Sequence, residues 1–410
     1  MRYLIFIWKN IWFHPLKTIF NILLIAIAVS LILILILTNR QFSQHLGKTS
    51  ENIDMILCAK GSPLQSVLCN IFHIDAPTGN INVQDIQPFL KKSHPLIQHS
   101  CPLSLGDSYH SSRIVGTTLD YFDWMQLKLS GGRIFNSDME VVIGSHVASS
   151  EKIKLNDTLF SNHGLIESEL QHEHRNGLIV VGILKETNNI QDKLIFTTIS
   201  TYWKEHEGQE NNDEMDHPST FEENNKIVLK NEDLLNNNKE VSSVLIQFKG
   251  KNIQTLNFAR NINENTKLMA VSPAIEISRL YSLSNSAEEL MFYMAMIIGL
   301  MSLIAIFLNL IQALDERKHE LTNLRIGGAL PRLLFGLLML EGLILSLLGA
   351  ICGFIMGHVL LHWASIQFNL QSRYGISGMY FTSNEMYVLM AAIFGGMLAA
   401  IIPALRAYRR

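Results

Sequence analysis

The sequence predicts an integral membrane protein with four transmembrane helices and a large mixed α+β domain inserted between the first two helices. Three observations on the 410 residues lead to this prediction. Residues 1–37 contain no Asp or Glu, and residues 291–410 contain five of the chain's 36 acidic residues. The remaining 31 lie in a polar block between these apolar ends. This distribution excludes a single soluble globule and a disordered chain.

Four apolar stretches have the length of about 20 residues that a membrane-spanning helix needs. We predict transmembrane helices at 19–37, 291–314, 333–361 and 387–405. The first stretch is longer than the apolar core of a cleaved signal peptide, and no A-x-A-like site closes it, which favours an uncleaved anchor. A buried core helix can have the same composition, but four such stretches in one chain favour membrane insertion.

Lysine and arginine predict the orientation of these helices, because short loops rich in them stay in the cytoplasm. Three segments are basic: 1–18, 315–332 and 406–410. In the 362–386 loop, Arg373 is the only lysine or arginine. We therefore expect an inner-membrane protein with both termini cytoplasmic, and with residues 38–290 and the 362–386 loop outside. No basic domain is present, which argues against nucleic-acid binding.

The 38–290 block has the pattern of a mixed α and β domain. Short apolar runs rich in β-branched residues predict strands at 112–116, 140–144, 178–184, 194–198 and 243–248. Helical patterns are found at 38–60, 83–91 and 274–290, of which the first and last should extend two transmembrane helices as a stalk. Turns are expected at Gly131-Gly132 and Asn156-Asp157.

Residues 205–225 contain eight acidic residues and no Lys or Arg, which predicts a flexible acidic loop. The same block contains Cys58, Cys69 and Cys101. Two of these three residues could form one disulfide, which would leave one free thiol. The sequence does not decide whether that disulfide forms.

No motif for an enzyme is found in this chain. The sequence lacks a Walker A motif, the H-E-x-x-H pattern of zinc proteases and a G-x-S-x-G nucleophile elbow. We therefore expect no catalytic residue here, and no ATP hydrolysis by this chain alone.

Histidines give a weaker signal for a metal site. The candidates are His163, His172, His174, His206 and His217, which lie close to acidic residues. Imidazole and carboxylate groups are zinc ligands, so weak Zn²⁺ binding is one hypothesis. No rigid ligand spacing is visible, and a solvated polar loop is the stronger interpretation.

Small and acidic residues inside the spans predict helix contacts. Gly349, Gly353 and Gly357 recur every four residues in the third span, and such ridges let helix backbones approach closely. We expect close packing of the third and fourth spans, or a dimer seam. Glu341 lies about eight residues into the third span. An intramembrane carboxylate there either makes a packing or coupling contact or snorkels to the interface.

The 315–332 segment is short, charged and amphipathic, with Gly327-Gly328 at its end. A helix of this kind at the membrane face suits docking of a cytoplasmic partner, and a solvated hairpin is the alternative. The segment resembles the inter-span signature of the FtsX-like, or MacB/LolC-type, permeases of ABC systems. The matching residues are Glu316-Arg317, Glu320-Leu321, Leu324-Arg325 and Gly328-Ala329.

Further elements of that family occur in the expected order along the chain. Glu341-Gly342 resembles its third-span element, and Pro403-Ala404 with Arg406-Ala407 resembles its C-terminal element. In the polar block, residues 129–135, 141–145 with 155–158, and 180–184 with 192–196 resemble motifs of the family's periplasmic core domain. The resemblance covers nearly the whole chain.

The resemblance implies a permease subunit that works with a separate cytoplasmic ABC ATPase, which holds the ATP and Mg²⁺. Two permease protomers, identical or different, would pair, and a periplasmic or outer-membrane partner is an additional expectation. The residues implied in ATPase coupling are Glu316, Arg317, Glu320, Leu324, Arg325, Gly328 and Ala329.

The implied mechanism is mechanotransmission, in which work done inside moves the outer domain for export or extraction of envelope cargo. Three alternatives stay open: a metal-linked ABC transport component, a regulator of an envelope hydrolase, and lipoprotein extraction.

Overall fold

The computed structural model describes residues 15–163, 177–207, 227–235, 238–250, 252–316, 331–368, 370 and 375–409. The chain divides into two compact units. We call residues 1–44 and 282–410 the helical unit, and residues 45–281 the sheet unit. Each unit is described by itself below.

Four long helices dominate: α1 (Pro15–Ser50), α9 (Pro273–Glu316), α10 (Pro331–Gln367) and α11 (Ser383–Arg409). Each contains a stretch long and apolar enough to cross a membrane. Among the described residues these stretches are Pro15–Ser50, Glu289–Gln312, Phe335–Gln367 and Ser383–Arg406. Helices of this length and hydropathy suit a hydrocarbon core of about 30 Å. The prediction of four apolar helices is confirmed.

The largest core cluster of the helical unit brings together three of its helices. Ile25, Val29 and Leu33 of α1 pack with Ile306 and Leu310 of α9 and with Ala400 of α11. Many other apolar side chains on α9, α10 and α11 are exposed, including Ile297, Leu300 and Ile355. Exposed apolar side chains around a small buried core are typical of helices whose solvent is lipid.

The sheet unit is built around one mixed sheet. Its strands are β1 (Met55–Ala59), β3 (Ile97–Tyr109), β4 (Ser112–Thr117), β5 (Leu129–Gly132), β6 (Glu140–Ile143), β7 (Thr158–Leu159), β8 (Asn162–His163), β9 (Leu178–Leu184), β10 (Ile195–Thr198), β12 (Ser243–Phe248) and β13 (Leu268–Val271). A separate pair is formed by β2 (Ile81–Asn82) and β11 (Glu240–Val241). The order across the main sheet is β13-β1-β12-β3-β4-β10-β6-β9-β5, with β7 on β9 and β8 on β3.

Short helices cover this sheet and complete its core. They are α2 (Pro63–Asn70), α3 (Val83–Leu90), α4 (Leu119–Trp124), α5 (Ser145–Ser150), α6 (Ile199–Glu207), α7 (Asn231–Leu234) and α8 (Ile253–Asn265), with a 3₁₀ turn at Ile190–Lys193. Along β9 the side chains alternate: Leu178, Val180 and Leu184 are buried, and Ile179 is exposed. This period of two is why the run forms a strand with one face on the core. The prediction of a mixed sheet domain between the first and second apolar helices is confirmed.

Three expectations from the sequence need correction. The helix predicted over 38–60 ends at Ser50, and Met55–Ala59 forms strand β1 between β12 and β13. A short, fully buried apolar run fits a helix and a central strand equally well, and tertiary pairing decides between them. Gly131 and Gly132 belong to edge strand β5 and pair with β9, so they are not a free turn.

The third correction concerns the acidic loop, and the structure also answers the open question about the cysteines. Residues 205–207 of the predicted loop form the last turn of α6, where Glu205 is buried and accepts a hydrogen bond from Ser161. The rest of that loop, residues 208–225, lies outside the described residues. Cys58, Cys69 and Cys101 are buried free thiols, so no disulfide links them.

Candidate functional site

Two long helices join the sheet unit through neighbouring strands. Helix α1 ends at Ser50, residues 51–54 follow, and β1 begins at Met55; β13 ends at Val271, and α9 begins at Pro273. Strands β1 and β13 pair antiparallel, from Ile56 opposite Val271 to Ala59 opposite Leu268. The two helices therefore attach at the same end of one hydrogen-bonded strand pair. We call residues 45–59 and 268–281 the junction.

The last turns of α1 are fastened within the sheet unit. The Thr49 hydroxyl lies 2.9 Å from the Asn189 side-chain oxygen, which also accepts from the backbone N–H of Ile190 at 2.9 Å. Thr49 is buried. The backbone N–H of Ile53 donates to the Ser50 carbonyl at 3.0 Å. Each such bond contributes about 0.5–1.5 kcal/mol. The Thr49–Asn189 bond links the end of α1 to the 3₁₀ turn, and the other two bonds order the chain on either side of it.

Asp54 then ties the connection to the neighbouring strand. Its backbone N–H donates to the Ile246 carbonyl at 2.9 Å, and its carboxylate accepts from the Phe248 N–H at 2.9 Å. Both partners lie on β12, the strand on the other side of β1. Residues 51–54 therefore act as a short, hydrogen-bonded connection between α1 and the sheet.

Helix α9 starts directly from the sheet. The Ser272 carbonyl accepts from the N–H groups of Ile275 and Glu276 at 3.2 and 3.4 Å. Proline at the first helical position and a carboxylate in the first turn both favour a helix start, because of the fixed φ angle and the helix dipole. Glu276 is buried and pairs with Arg279 at 3.1 Å. One residue, Ser272, separates strand and helix.

This arrangement can transmit displacement. Any change in the distance or tilt between the ends of α1 and α9 acts on β1 and β13, because each connection is four residues or fewer. Packed, hydrogen-bonded elements of this kind move as rigid bodies rather than deform continuously. The short connections to paired strands therefore make the junction a candidate for force transfer.

The sequence did not predict the junction residues Thr49, Asp54 and Glu276, or Asn189, which contacts Thr49. Proline followed by an acidic residue at 273–276 was an available signal for the start of α9. No sequence signal links Thr49 to Asn189, which lie 140 residues apart.

The predicted glycine ridge lies on α10 inside the helical unit and contacts α1. A Cβ at Gly349 would lie 2.6 Å from Ile25 Cβ, and one at Gly353 would lie 2.7 Å from the Ala26 carbonyl oxygen. Gly357 approaches Ser30 Cα, with a Cβ distance of 3.3 Å. The expected partner of this ridge was the fourth span or a second protomer. The structure places it against the first helix instead.

The close glycine contacts between α10 and α11 lie nearer the start of α10. A Cβ at Gly342 would lie 2.6 Å from Ala400 Cβ, and Gly396 lies directly against Ser346. The small residues of α10 thus meet α11 first and α1 farther along the same helix, as expected for helices that cross at an angle. Glu341 is buried, which favours an interior contact over snorkelling. Its role in coupling stays a prediction.

The predicted ATPase-coupling residues fall mostly outside the described residues. Glu316 is the last described residue of α9. The others lie in the interval before α10 that the structure does not describe: Arg317, Glu320, Leu324, Arg325, Gly328 and Ala329. Their role stays a prediction.

The predicted metal ligands are only partly placed. His172, His174 and His217 lie outside the described residues. His163 is in β8, whose backbone pairs with β3 opposite Asp107. His206 stacks on Tyr202, and its Nε2 lies 3.6 Å from the buried Asp107 carboxylate.

The pKa of Tyr202 reflects the burial of the residues around His206 and the negative charge of Asp107. Burial raises the pKa of the Tyr202 phenol well above its usual range, and the nearby Asp107 carboxylate raises it further. In the part of the chain that the structure describes, no group of three or more His, Cys, Asp or Glu side chains is arranged to hold a metal ion. Weak zinc binding stays a prediction.

Comparisons with known proteins agree with this architecture. Residues 18–249 match the MacB-like periplasmic core domain, and residues 291–410 match the FtsX-like permease C-terminal domain. No curated protein matches the chain.

Two solved structures are similar to the sheet-containing part of the chain. One is the periplasmic region of MacB from Actinobacillus actinomycetemcomitans, with 12% identity and a TM-score of 0.33, over 58% of this chain and 97% of that one. The other is the extracellular domain of the noncanonic ABC-type transporter YknZ from Gram-positive bacteria, with 14% identity and a TM-score of 0.30, over 53% and 99%.

The four apolar helices and the inserted sheet domain define a transmembrane protein of the transporter class. Because the core-domain match spans more than half of the chain, the family is established. The chain belongs to the FtsX/MacB-type permeases of ABC transporters.

Proposed function

We propose that this permease subunit couples ATP hydrolysis by a separate cytoplasmic ATPase to movement of its sheet unit outside the membrane. The movement would serve export or extraction of envelope cargo. The observation that supports it is the junction: α1 and α9 both contain apolar stretches of spanning length, and both connect within a few residues to the paired strands β1 and β13.

The ATPase would be a partner, because the sequence has no Walker A motif. In this proposal the partner binds at 315–332, where the family signature falls, and it holds ATP and Mg²⁺. Orientation follows from the basic residues: both termini and 315–332 face the cytoplasm of an inner membrane. A second permease protomer, identical or different, completes the complex.

Transmission would proceed in three steps. ATP-driven closure of the ATPases shifts the 315–332 segment and with it the end of α9. The tight glycine contacts of α10 with α1 and α11 keep the helices packed during the shift, so that the motion is shared. The altered spacing of α1 and α9 then acts on β1 and β13, and the sheet unit changes position or shape.

Arg325→Glu tests the partner and its docking place. Affinity purification of the tagged chain from native membranes, with mass spectrometry and an ATPase assay, should recover a P-loop ATPase with the unmodified chain. We expect Arg325→Glu to reduce recovery of the ATPase and the ATP hydrolysis of the complex about tenfold or more, because reversing the charge removes ion pairs and adds repulsion at a docking surface.

Arg373→Glu is the matched control, because Arg373 lies in a short loop between spans that is predicted on the opposite side of the membrane. It should leave ATPase recovery unchanged, and both variants should reach the membrane at the same level. Unchanged co-purification and ATPase activity of Arg325→Glu would remove the coupling role from this segment. Absence of any ATPase under gentle detergent would overturn the proposed mechanism. A co-purifying envelope hydrolase would instead favour the regulatory alternative.

A further inference from the structure

Residues 375–382, which precede α11, are attached to two other helices of the helical unit by hydrogen bonds. From α1, the Gln41 amide nitrogen donates to the Ser377 carbonyl at 3.0 Å, and its amide oxygen accepts from the Ser377 N–H at 2.7 Å. From α10, Nδ1 of His358 lies 2.6 Å from the Gly378 carbonyl oxygen. These bonds hold the backbone of the segment between α1 and α10.

The start of α11 and a small apolar cluster hold the same segment from other directions. Glu385, in the first turn of α11, accepts from the N–H and hydroxyl of Thr382 at 2.6 and 3.1 Å. Ile376 is buried in a cluster with Leu37 of α1 and Leu361 of α10. A connection held in this way presents its remaining side chains in fixed directions.

Three large side chains of this segment are exposed. Met379 is 69% exposed, Phe381 is 66% exposed and Tyr380 is 38% exposed. Residues 375–382 contain no Asp, Glu, Lys or Arg. A contiguous, uncharged apolar patch that is held this firmly marks an interaction surface.

Phe381 points back along the apolar stretch of α10. Its ring centroid lies 4.7 Å from that of His358 and 6.3 Å from that of Phe354. Phe354 lies one turn before His358, about 6 Å back along the helix, and belongs to the apolar stretch Phe335–Gln367. The Phe381 ring therefore extends the apolar surface of a helix that is long enough to span a membrane.

Tyr380 points in the opposite direction. Its hydroxyl donates to the side-chain oxygen of Gln44 at 3.3 Å. Gln44 lies three residues beyond Gln41 on α1, about 4.5 Å farther from the apolar run at 19–37. A phenol with its hydroxyl on the polar side of an apolar surface is the arrangement that tyrosine adopts at membrane–water interfaces.

The composition of α1 changes from apolar to polar beside this segment. Leu37 ends the apolar run, and Phe42 is the one apolar residue among 38–44. Ile376 packs on the apolar side of this change, and Ser377 bonds on its polar side. The segment thus lies where a spanning helix leaves the hydrocarbon core.

We propose that residues 375–382 bind the bilayer itself as an interfacial anchor. Phe381 and Met379 enter the boundary of the acyl chains, and the Tyr380 hydroxyl stays at the level of the headgroups. We call residues 375–382 the interfacial segment. The bilayer is its occupant because this uncharged surface continues the apolar side of a spanning helix. The proposal requires a transmembrane chain and does not depend on a partner ATPase.

Two further aromatic residues extend the same surface. Trp363, near the end of the apolar stretch of α10, is 59% exposed, and Tyr387, near the start of that of α11, is 67% exposed. Tryptophan and tyrosine are enriched at the level of the headgroups, where the ring is apolar and its polar group reaches water. Their positions at the ends of two apolar stretches support the same interfacial level.

Spin-label accessibility tests what surrounds each side chain. The full chain carries Cys352→Ser, because Cys352 is exposed and the three other cysteines are buried. Phe381→Cys and Tyr380→Cys are each labelled with a nitroxide, in nanodiscs of phosphatidylcholine and phosphatidylglycerol. Power saturation then compares collisions with O₂, which dissolves in hydrocarbon, and with a nickel chelate, which stays in water.

Two exposed positions provide the references. Ile355→Cys lies in the apolar stretch of α10 and reports lipid, and Lys128→Cys lies on the sheet unit and reports water. The O₂-to-nickel collision ratio of Phe381→Cys should exceed that of Lys128→Cys about fivefold or more, because its label enters the hydrocarbon boundary. The ratio of Tyr380→Cys should be about threefold lower than that of Phe381→Cys, because its side chain points toward the headgroups.

Met379→Cys is the second variant, since it leaves the contact between Phe381 and His358 in place. Its ratio should also exceed that of Lys128→Cys about fivefold. Ratios equal to the water reference would show a loop that faces water and would refute the proposal. Few collisions with either reagent would show that protein, such as a second copy of the permease, covers the segment, and would exclude the bilayer as its occupant. Equal ratios for neighbouring Phe381→Cys and Tyr380→Cys would refute the proposed orientation.

Discussion

At the scale of single residues, the close packing of helices in the helical unit depends on glycines, which have no side chain. Gly353 brings α10 to within contact of the α1 backbone, since a Cβ there would lie 2.7 Å from the Ala26 carbonyl oxygen and 3.0 Å from its Cα. Backbone atoms cannot rotate away as a flexible side chain can. The close approach at Gly353 therefore sets the distance between two helices.

Gly353→Ala should destabilise the helical unit by about 1–3 kcal/mol, because the added methyl group forces the helices apart. Gly299→Ala is the matched control, since it also lies in a long apolar helix and nothing lies within 4 Å of an added Cβ. That change should be neutral or stabilising, by up to about 1 kcal/mol, from reduced chain entropy. Thermal unfolding of both variants in detergent checks the difference. Equal midpoints for the two would show that the Gly353 contact is not limiting.

The sequence predicts this ridge but not its partner. Spacing at every fourth residue shows that Gly349, Gly353 and Gly357 share a face, because that is a property of one helix. Which helix they meet depends on crossing angles and on the other three spans, which no local pattern contains. Close packing of the third and fourth spans, or a dimer seam, was expected; the third and fourth spans do pack closely at Gly342 and Gly396, but the ridge itself contacts the first span.

At the scale of elements, α1 has two different surroundings. Over 15–44 it belongs to the helical unit, and over 45–50 it belongs to the sheet unit. Its apolar run predicts the first part, since length and hydropathy are local. The second part depends on the contact between Thr49 and Asn189. A local sequence pattern cannot predict this contact, because the two residues lie far apart in the chain. Strand β1 was missed for a similar reason: its neighbours β12 and β13 come about 190 or more residues later, and only pairing with them defines it.

Thr49→Val should loosen the fastening of α1 without changing side-chain shape. The lost hydrogen bond to Asn189 is worth about 0.5–1.5 kcal/mol, so local opening of the 3₁₀ turn should increase about 2- to 10-fold. The Ile190 amide, which donates to the same Asn189 oxygen, is the reporter by hydrogen exchange. Ser50→Ala is the control, because the Ser50 hydroxyl bonds only within its own helix, to Leu46 and Gly47. Similar exchange in both variants would show that Thr49 does not hold the turn.

At the scale of the whole molecule, the chain order itself supports transmission. The sheet unit is inserted between two helices of spanning length, and its first and last main strands pair with each other. The sequence predicts the insertion, because acidic residues and apolar stretches are segregated along the chain. It does not predict that β1 and β13 are neighbours, since strand order depends on long-range pairing. In the proposed mechanism, that adjacency couples the movements of the two helices.

Insertion of two glycines between Glu51 and Asn52 should uncouple the permease. The insert breaks the Ile53–Ser50 hydrogen bond and lets α1 move without displacing β1, because glycine chains are flexible. We expect ATPase binding and hydrolysis to persist. In the unmodified complex, exchange of β1 and β13 amides should differ between nucleotide-free and ATP-bound states; in the insertion variant this difference should fall at least threefold.

The same insertion after Gly250 is the control, since it lengthens the connection between β12 and α8 and leaves both helix-to-strand connections at their native length. It should preserve the nucleotide response. Strand β5, at the other end of the sheet, gives an internal reference in every sample. If β1 and β13 respond to nucleotide equally well with the junction lengthened, the helices do not carry the signal through their strands, and movement must reach the sheet unit by another contact. If neither sample responds while ATP is hydrolysed, the sheet unit is a static platform, and mechanotransmission is wrong for this permease.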